Sequence, residues 1–185
     1  LLSPIAKLFT IVNANTLVRN YDGILGAKAG YSEKSGYSIS VAAKRGDSVF
    51  ISVIIGYDKK EDCIKKGKSH LDKGFSSYET IRPAVPTELM NGVKVKNGTA
   101  KNILVKPEFL SETIIPIGCS RDIEYKIILP EYIEAPVFKN QKIGEISYYL
   151  YDDEIYKTDI IASDSVEKMT FLNALLILLK STISF

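Results

Sequence analysis

Histidine occurs once in the 185 residues, at His70, and cysteine twice, at Cys63 and Cys119. A single histidine leaves no Ser-His-Asp triad of the familiar kind unless His70 itself serves. Two cysteines cannot build a disulfide framework or a four-thiolate metal site, and no other ligand cluster stands out, so neither metal nor cofactor is expected. An excess of either charge is missing too, since 24 Lys and Arg stand against 22 Asp and Glu, a net charge of +2. Nucleic-acid binding needs a strong basic surplus gathered on one face, which argues against such a partner. Hydrolytic chemistry here would have to use lysine.

The first segment, Leu1 to Val12 (LLSPIAKLFTIV), has no initiator Met, no basic leader before a long apolar core and no small-residue cleavage site. It is not a complete signal peptide and reads as a piece from inside a longer sequence. What is present is globular. With 45% hydrophobic and 25% charged residues, wholesale disorder and a polytopic membrane protein are both excluded. The length allows one domain or two small ones.

Asn20-Tyr21-Asp22-Gly23 is a turn signal, and Ile24 to Ser32 (ILGAKAGYS) is short and Gly-interrupted, as an edge or site-lining strand would be. Tyr37 to Ala43 and Ser48 to Ile55 are β-rich runs joined by Lys44-Arg45-Gly46-Asp47, with Gly placed for a hairpin. Three strands in meander order follow. In Lys59 to Lys73, residues Cys63, Ile64, Leu71 and Phe75 fall near one helical face with lysines elsewhere. Gly74 sits where a C-terminal cap belongs, with lysines in the last turns favouring the dipole. This helix is expected to cover one face of the meander.

From about Phe75 to Ala162 helical periodicity vanishes and six prolines punctuate short β-rich runs. Val93 to Lys96 and Ile103 to Lys106 flank Asn97-Gly98, the strongest two-residue turn signal. Asp122 to Leu129, Ile143 to Tyr151 and Glu154 to Ala162 alternate or run apolar, with Asp152-Asp153 expected to turn the last pair. Many short strands with frequent turns indicate a small β-sandwich. In the tail, Phe171, Leu172, Leu175, Leu176, Leu178 and Leu179 share a helical face. A helix from Phe171 to Phe185 would be about 22 Å long, short of a hydrocarbon core of roughly 30 Å. It suits an interfacial helix better than a span, with a terminal helix docked in a core as the other reading.

The segment from Tyr21 to Ser32, followed by Ser35-Gly36-Tyr37, a hairpin and a helix ending in Gly74-Phe75, resembles the third active-site motif of serine D-alanyl-D-alanine carboxypeptidases. In these low-molecular-mass penicillin-binding proteins the motif reads Lys-Thr-Gly on a strand beside the reactive serine. Leu129-Pro130, Ala135-Pro136-Val137, Lys142-Ile143-Gly144-Glu145, Ile161-Ala162 and Val166-Glu167-Lys168 look like the β-rich domain that follows the catalytic domain in that family. Taken together the resemblance implies an α+β chain: residues 1–74 as the C-terminal part of a serine transpeptidase-like catalytic domain, 75–165 as the β-sandwich, and 166–185 as an amphipathic helix. In the family that helix anchors the enzyme at the outer face of the bacterial cytoplasmic membrane, here through Phe171, Leu172, Leu175, Leu176, Leu178 and Leu179. The implied partners are peptidoglycan stem peptides ending in D-Ala-D-Ala and, for the complete enzyme, β-lactams.

By the same resemblance Lys28 directs a positive charge into the cleft, favouring proton transfer, the anionic transition state and the substrate carboxylate. Gly30 lets a peptide lie against the strand, and the backbone N–H of Tyr31 is one of two oxyanion donors. Lys28, Ala29 and Gly30 together would contact substrate. Two departures stand out. Ala29 replaces a hydroxyl residue that bonds the substrate carboxylate, a loss of roughly 1.5 to 3 kcal/mol. More severely, nothing from Leu1 to Ala27 supplies Ser-x-x-Lys, since Ser3 has Lys7 at the wrong spacing, and Ser-x-Asn is missing as well. Loss of a catalytic serine costs on the order of 10⁶ in turnover in a well-studied serine hydrolase, so this chain by itself is expected to be inactive.

Three sequence decoys are set aside. Ser165-Val166-Glu167-Lys168 fits Ser-x-x-Lys but follows the sandwich, Arg45-Gly46-Asp47 is a hairpin loop by context, and Asn97-Gly98-Thr99 is better explained as a turn than as a glycosylation acceptor. Cys63 and Cys119 fall in different expected domains, which argues against a mutual disulfide. Three readings stay open: a fragment of a membrane-associated D,D-carboxypeptidase, a non-catalytic membrane-tethered module that binds or positions something at the wall, and a decayed gene product. The first also predicts that the meander exposes an apolar face where the rest of a catalytic domain would pack.

Overall fold

The computed structural model describes residues 16–171, which divide into two compact units. The first takes residues up to Thr80 together with Ile114–Ile117, and the second takes Ile81–Thr113 and the residues from Gly118 onward.

The first unit opens with a short helix, α1 (Leu17–Asn20), and then forms the expected antiparallel meander. Strands β1 (Ile24–Ser32), β2 (Gly36–Arg45) and β3 (Ser48–Tyr57) lie side by side in that order. Helix α2 (Lys60–Ser77) covers one face. Its Cys63 and Leu71 are buried with Ile39, Val41, Ala43 and Ile54 of the sheet, while Ile64 and Phe75 are partly buried beside them, as the 3.6-residue spacing requires. Gly67 makes the approach possible, since a Cβ there would lie 2.5 Å from Ile39 Cδ1.

Gly74 is not the cap expected from the sequence. The helix runs on to Ser77 with no basic residue in its last turn, and a Cβ on Gly74 would lie 3.2 Å from the Phe50 ring. Phe50 and Phe75 meet edge to face at 4.9 Å, so tertiary packing extends the helix past a residue that local rules would use to end it. The Arg45-Gly46-Asp47 segment does link β2 to β3. Arg45 lies over the rings of Tyr21 and Phe75 at 4.9 and 4.7 Å and is within 4.0 Å of Asp22 and 3.9 Å of Asp72. Tyr21 donates to Asp72 Oδ1 at 2.9 Å; burial first, then this bond, raises its hydroxyl pKa to about 12. The arginine is committed to holding α1, the sheet and α2 together.

After α2 the chain forms β4 (Tyr78–Ile81), β5 (Val93–Lys96), β6 (Asn102–Ile103), β7 (Val105–Pro107) and β8 (Thr113–Pro116), the last of which returns to pair with β4. Then come β9 (Ile123–Ile128), β10 (Tyr132–Glu134), β11 (Lys142–Leu150) and β12 (Asp153–Ala162). The second unit is built from two sheets, ordered β10-β5-β6 and β7-β12-β11-β9. Val93, Val95 and Ile103 from the first sheet share a core with Ile146, Tyr148 and Ile160 from the second. The one buried hydroxyl of that group is satisfied, Tyr148 donating to Ala84 O at 2.9 Å, as a buried phenol requires.

Two turns differ from expectation. Val95 N–H donates to Lys101 O, so Asn97-Gly98 lies in a longer connection and not in a two-residue turn. Gly98 instead bridges to Lys168, and a Cβ on it would lie 2.8 Å from both Val95 and Val166 side chains. Leu104 then breaks the expected Ile103 to Lys106 strand, passing the chain from one sheet to the other. In the last hairpin Leu150 pairs with Asp153, so Tyr151 and Asp152 make the turn, Tyr151 at φ +56°.

On β11 and β12, Lys142 bonds Glu145 at 2.6 Å and Asp159 at 2.8 Å, and Lys157 bonds the other oxygen of Glu145 at 2.6 Å. The Lys142 bond, followed by that of Lys157, lowers the Glu145 pKa from 4.5 to about 2. A carboxylate depressed in the folded state contributes stability above its unfolded pKa and loses it as pH falls through the folded one. Glu145→Gln is therefore expected to flatten the stability profile between pH 4.5 and 2, measured by urea unfolding at stepped pH. Phe171, 86% exposed, is the last described residue; Leu172, Leu175, Leu176, Leu178 and Leu179 of the expected membrane helix lie outside the described residues. Among the described residues no helix is long and apolar enough to cross a membrane.

Candidate functional site

Lys28, Ala29, Gly30 and Tyr31 lie consecutively on β1, which forms one edge of the meander among the described residues. Strand alternation sends them to opposite faces. Lys28 is in register with Ser40, and Ser40 with Val53, so these three make a row across the face that α2 leaves uncovered. That face is apolar on β3, where Ile51, Val53 and Ile55 are 67, 57 and 69% exposed. A shallow depression of about 290 Å³ runs over it, lined by Lys28, Gly30, Ser38, Ser40, Val53 and Ile55 among others. Among the described residues the meander thus exposes an apolar face, and Lys28 stands on it with no acidic partner among them. Gly30 has no atom within 4 Å of where a Cβ would be, leaving the strand open to an approaching chain.

Ala29 and Tyr31 face the other way. Ala29 is in register with Ile39 and Tyr31 with Tyr37, and the two tyrosine rings lie 4.5 Å apart, tilted by 39°. Behind them is a cavity of about 190 Å³, lined by Ala29, Gly30, Tyr31, Tyr37, Ser38, Ile39, Lys60 and Cys63. The Cys63 thiol donates to Tyr37 O at 3.6 Å, and burial raises its pKa. A protonated, buried thiol is a packing group rather than a nucleophile. Sequence reasoning found the four β1 residues but missed Lys60. Nothing in the pattern separates it from the other lysines of α2, because only the fold shows that the first residue of the helix lies at the end of β1.

The decoys stay outside this site. Ser165 Oγ accepts the Lys139 N–H at 2.9 Å and so holds a loop. His70 is exposed on α2, and both cysteines are free. No group of three or more potential metal-ligating side chains occurs among the described residues.

Residues 78–168 match the family model described as penicillin-binding protein 5, C-terminal domain. By sequence and by fold, the chain is similar to the C-terminal portion of low-molecular-mass penicillin-binding proteins. It is 28% identical over 170 residues to the D-alanyl-D-alanine carboxypeptidase DacF of Bacillus subtilis, covering 91% of this chain and 44% of that protein. It is also 28% identical over 155 residues to DacC of Escherichia coli, covering 82% of this chain and 38% of that one. The crystal structure of penicillin binding protein 5 from Haemophilus influenzae superposes with a TM-score of 0.72 at 22% identity, covering 83% of this chain and 46% of that one. The chain thus spans about two fifths of the length of these curated relatives.

Proposed function

We propose that this chain is the C-terminal part of a serine-type D-alanyl-D-alanine carboxypeptidase, in which the meander supplies the Lys28 strand of the active site. The observation that carries this reading is the placement of Lys28, exposed and without an ion-pair partner among the described residues, beside Ile51, Val53 and Ile55 on a sheet face that no described residue of the first unit covers. A row of exposed β-branched side chains on a sheet is a surface made for packing. A catalytic-domain portion lying on it would enclose Lys28 in a cleft at the edge of β1.

In that cleft Lys28 holds a positive charge near the reacting carbonyl and assists proton transfer around a serine carried outside these 185 residues. The serine attacks the carbonyl of the D-Ala-D-Ala peptide bond, the oxyanion is held by backbone N–H groups that include that of Tyr31, the terminal D-Ala leaves as the acyl-enzyme forms, and water then hydrolyses the acyl ester to release the trimmed stem peptide. The reading assigns the enzyme to the extracytoplasmic face of the bacterial membrane, with Phe171, Leu172, Leu175, Leu176, Leu178 and Leu179 as the residues that contact it. The similarity to carboxypeptidases across 91% of the chain supports the reaction class.

The isolated chain is expected to form no covalent adduct with a labelled penicillin and to release no D-Ala, because it has no Ser-x-x-Lys ahead of β1. Gel fluorography and a D-Ala release assay test this. A labelled band that survives Lys28→Met and vanishes with Ser165→Ala would overturn the assignment of the site.

A further inference from the structure

Position 29 carries a methyl group where the resemblance calls for a hydroxyl, and the cavity behind it carries a cation. Lys60 is the one charged residue among the eight that line this cavity of about 190 Å³. It is half-buried at the start of α2 and has no ion-pair partner among the described residues. Asp58, Glu61 and Asp62 are close in sequence, but all three are exposed and none lines the cavity. The other walls are Tyr31, Tyr37, Ala29, Gly30, Ser38, Ile39 and the buried Cys63, so a guest there meets mostly apolar residues and the Lys60 side chain. A lysine ammonium without a counter-ion gains from a charge-assisted bond to an anion. The volume is several times the ~30 Å³ of a water molecule, enough for a carboxylate with an adjoining methyl.

We propose that Lys60 is the carboxylate-binding residue of this site, its ammonium taking the terminal carboxylate of a D-alanyl-D-alanine peptide lying along β1 in place of the hydroxyl that residue 29 lacks. This rests on the carboxypeptidase reading for the identity of the peptide. Lys28 and Lys60 then divide the work: Lys28 acts on the open face near the reacting bond, and Lys60 fixes the chain end beyond Gly30. The site accordingly selects a free C-terminus over a blocked one.

The test is a titration of the isotopically labelled chain with N-acetyl-D-alanyl-D-alanine and with its C-terminal amide, followed through backbone amide signals. The free acid is expected to shift Gly30, Tyr31 and Cys63 and to bind about tenfold more tightly than the amide, the ratio typical of one charge-assisted bond at a half-exposed site. Lys60→Gln should remove that preference, and Lys60→Arg should keep it. Equal binding of acid and amide, undiminished preference in Lys60→Gln, or no shift at those three residues would each overturn the proposal. The L-alanyl-L-alanine acid separates the two levels of the argument. Lys60-dependent binding that ignores stereochemistry keeps the anion site and contradicts the carboxypeptidase reading, whereas D-selective binding that ignores Lys60 does the reverse.

Discussion

Leu71→Ala is expected to destabilise the first unit by about 3 kcal/mol and to leave the second unit nearly unchanged. Leu71 is 1% exposed, at the centre of a core whose fully buried members are Leu17, Tyr21, Ile39, Val41, Ala43, Ile54, Cys63 and Leu71 itself. Removing a buried leucine side chain costs about 2.7 to 5 kcal/mol, more where the surroundings cannot collapse. Here Val41 is paired across β1 to Ala27 and across β3 to Ser52, so collapse is limited. The sandwich keeps its own core around Ile146, Tyr148 and Ile160, which the substitution does not touch. Hydrogen exchange resolved by residue checks this. Protection should fall at Ile39, Val41 and Ile54 and persist at Ile146 and Ile160, whereas a uniform fall would mean that the units unfold as one.

A larger functional effect is expected at Lys28. In a chimaera that joins this chain to the upstream portion of the Bacillus subtilis carboxypeptidase, Lys28→Met should lower D-Ala release by two to three orders of magnitude. Loss of one group that stabilises developing charge in a preorganised site typically costs about 2.7 to 4 kcal/mol. The stability of the chimaera should hardly change, because Lys28 is exposed and makes no ion pair among the described residues. Ser40→Ala, in the same row, should have a far smaller effect on turnover. If Lys28→Met and Ser40→Ala lower the rate equally, the lysine has no special role and the open face serves only for packing.

The meander was legible because its signals are local. The Gly-bearing loop between β2 and β3, two β-rich runs and a helix with Cys63, Ile64, Leu71 and Phe75 on one side leave little choice of topology. Most strands of the sandwich were legible for the same reason, and β9, β11 and β12 begin or end within a residue or so of their expected bounds, whereas the three-residue β10, which pairs with β5 in parallel, was not read. Where the reading failed, a long-range contact overrode a local rule. Gly74 looks like a cap until Phe50 packs against it. Asn97-Gly98 looks like a tight hairpin until Gly98 is drawn against Val95 and Val166, and the return of β8 to β4 has no signature in either segment. The candidate site divides along the same line. Lys28 to Tyr31 form a contiguous motif and could be read directly, whereas Lys60 joins them only because α2 starts where β1 ends, which no spacing in the sequence encodes.

The central claim is that the Lys28 strand completes an active site whose nucleophile lies outside these 185 residues. Peptide mapping of the penicillin adduct formed by the chimaera tests it most directly. The account predicts a single penicilloyl group on a serine of the upstream portion, formed far more slowly in Lys28→Met. Label on a serine of this chain, or labelling at an unchanged rate when Lys28 is replaced, would contradict it.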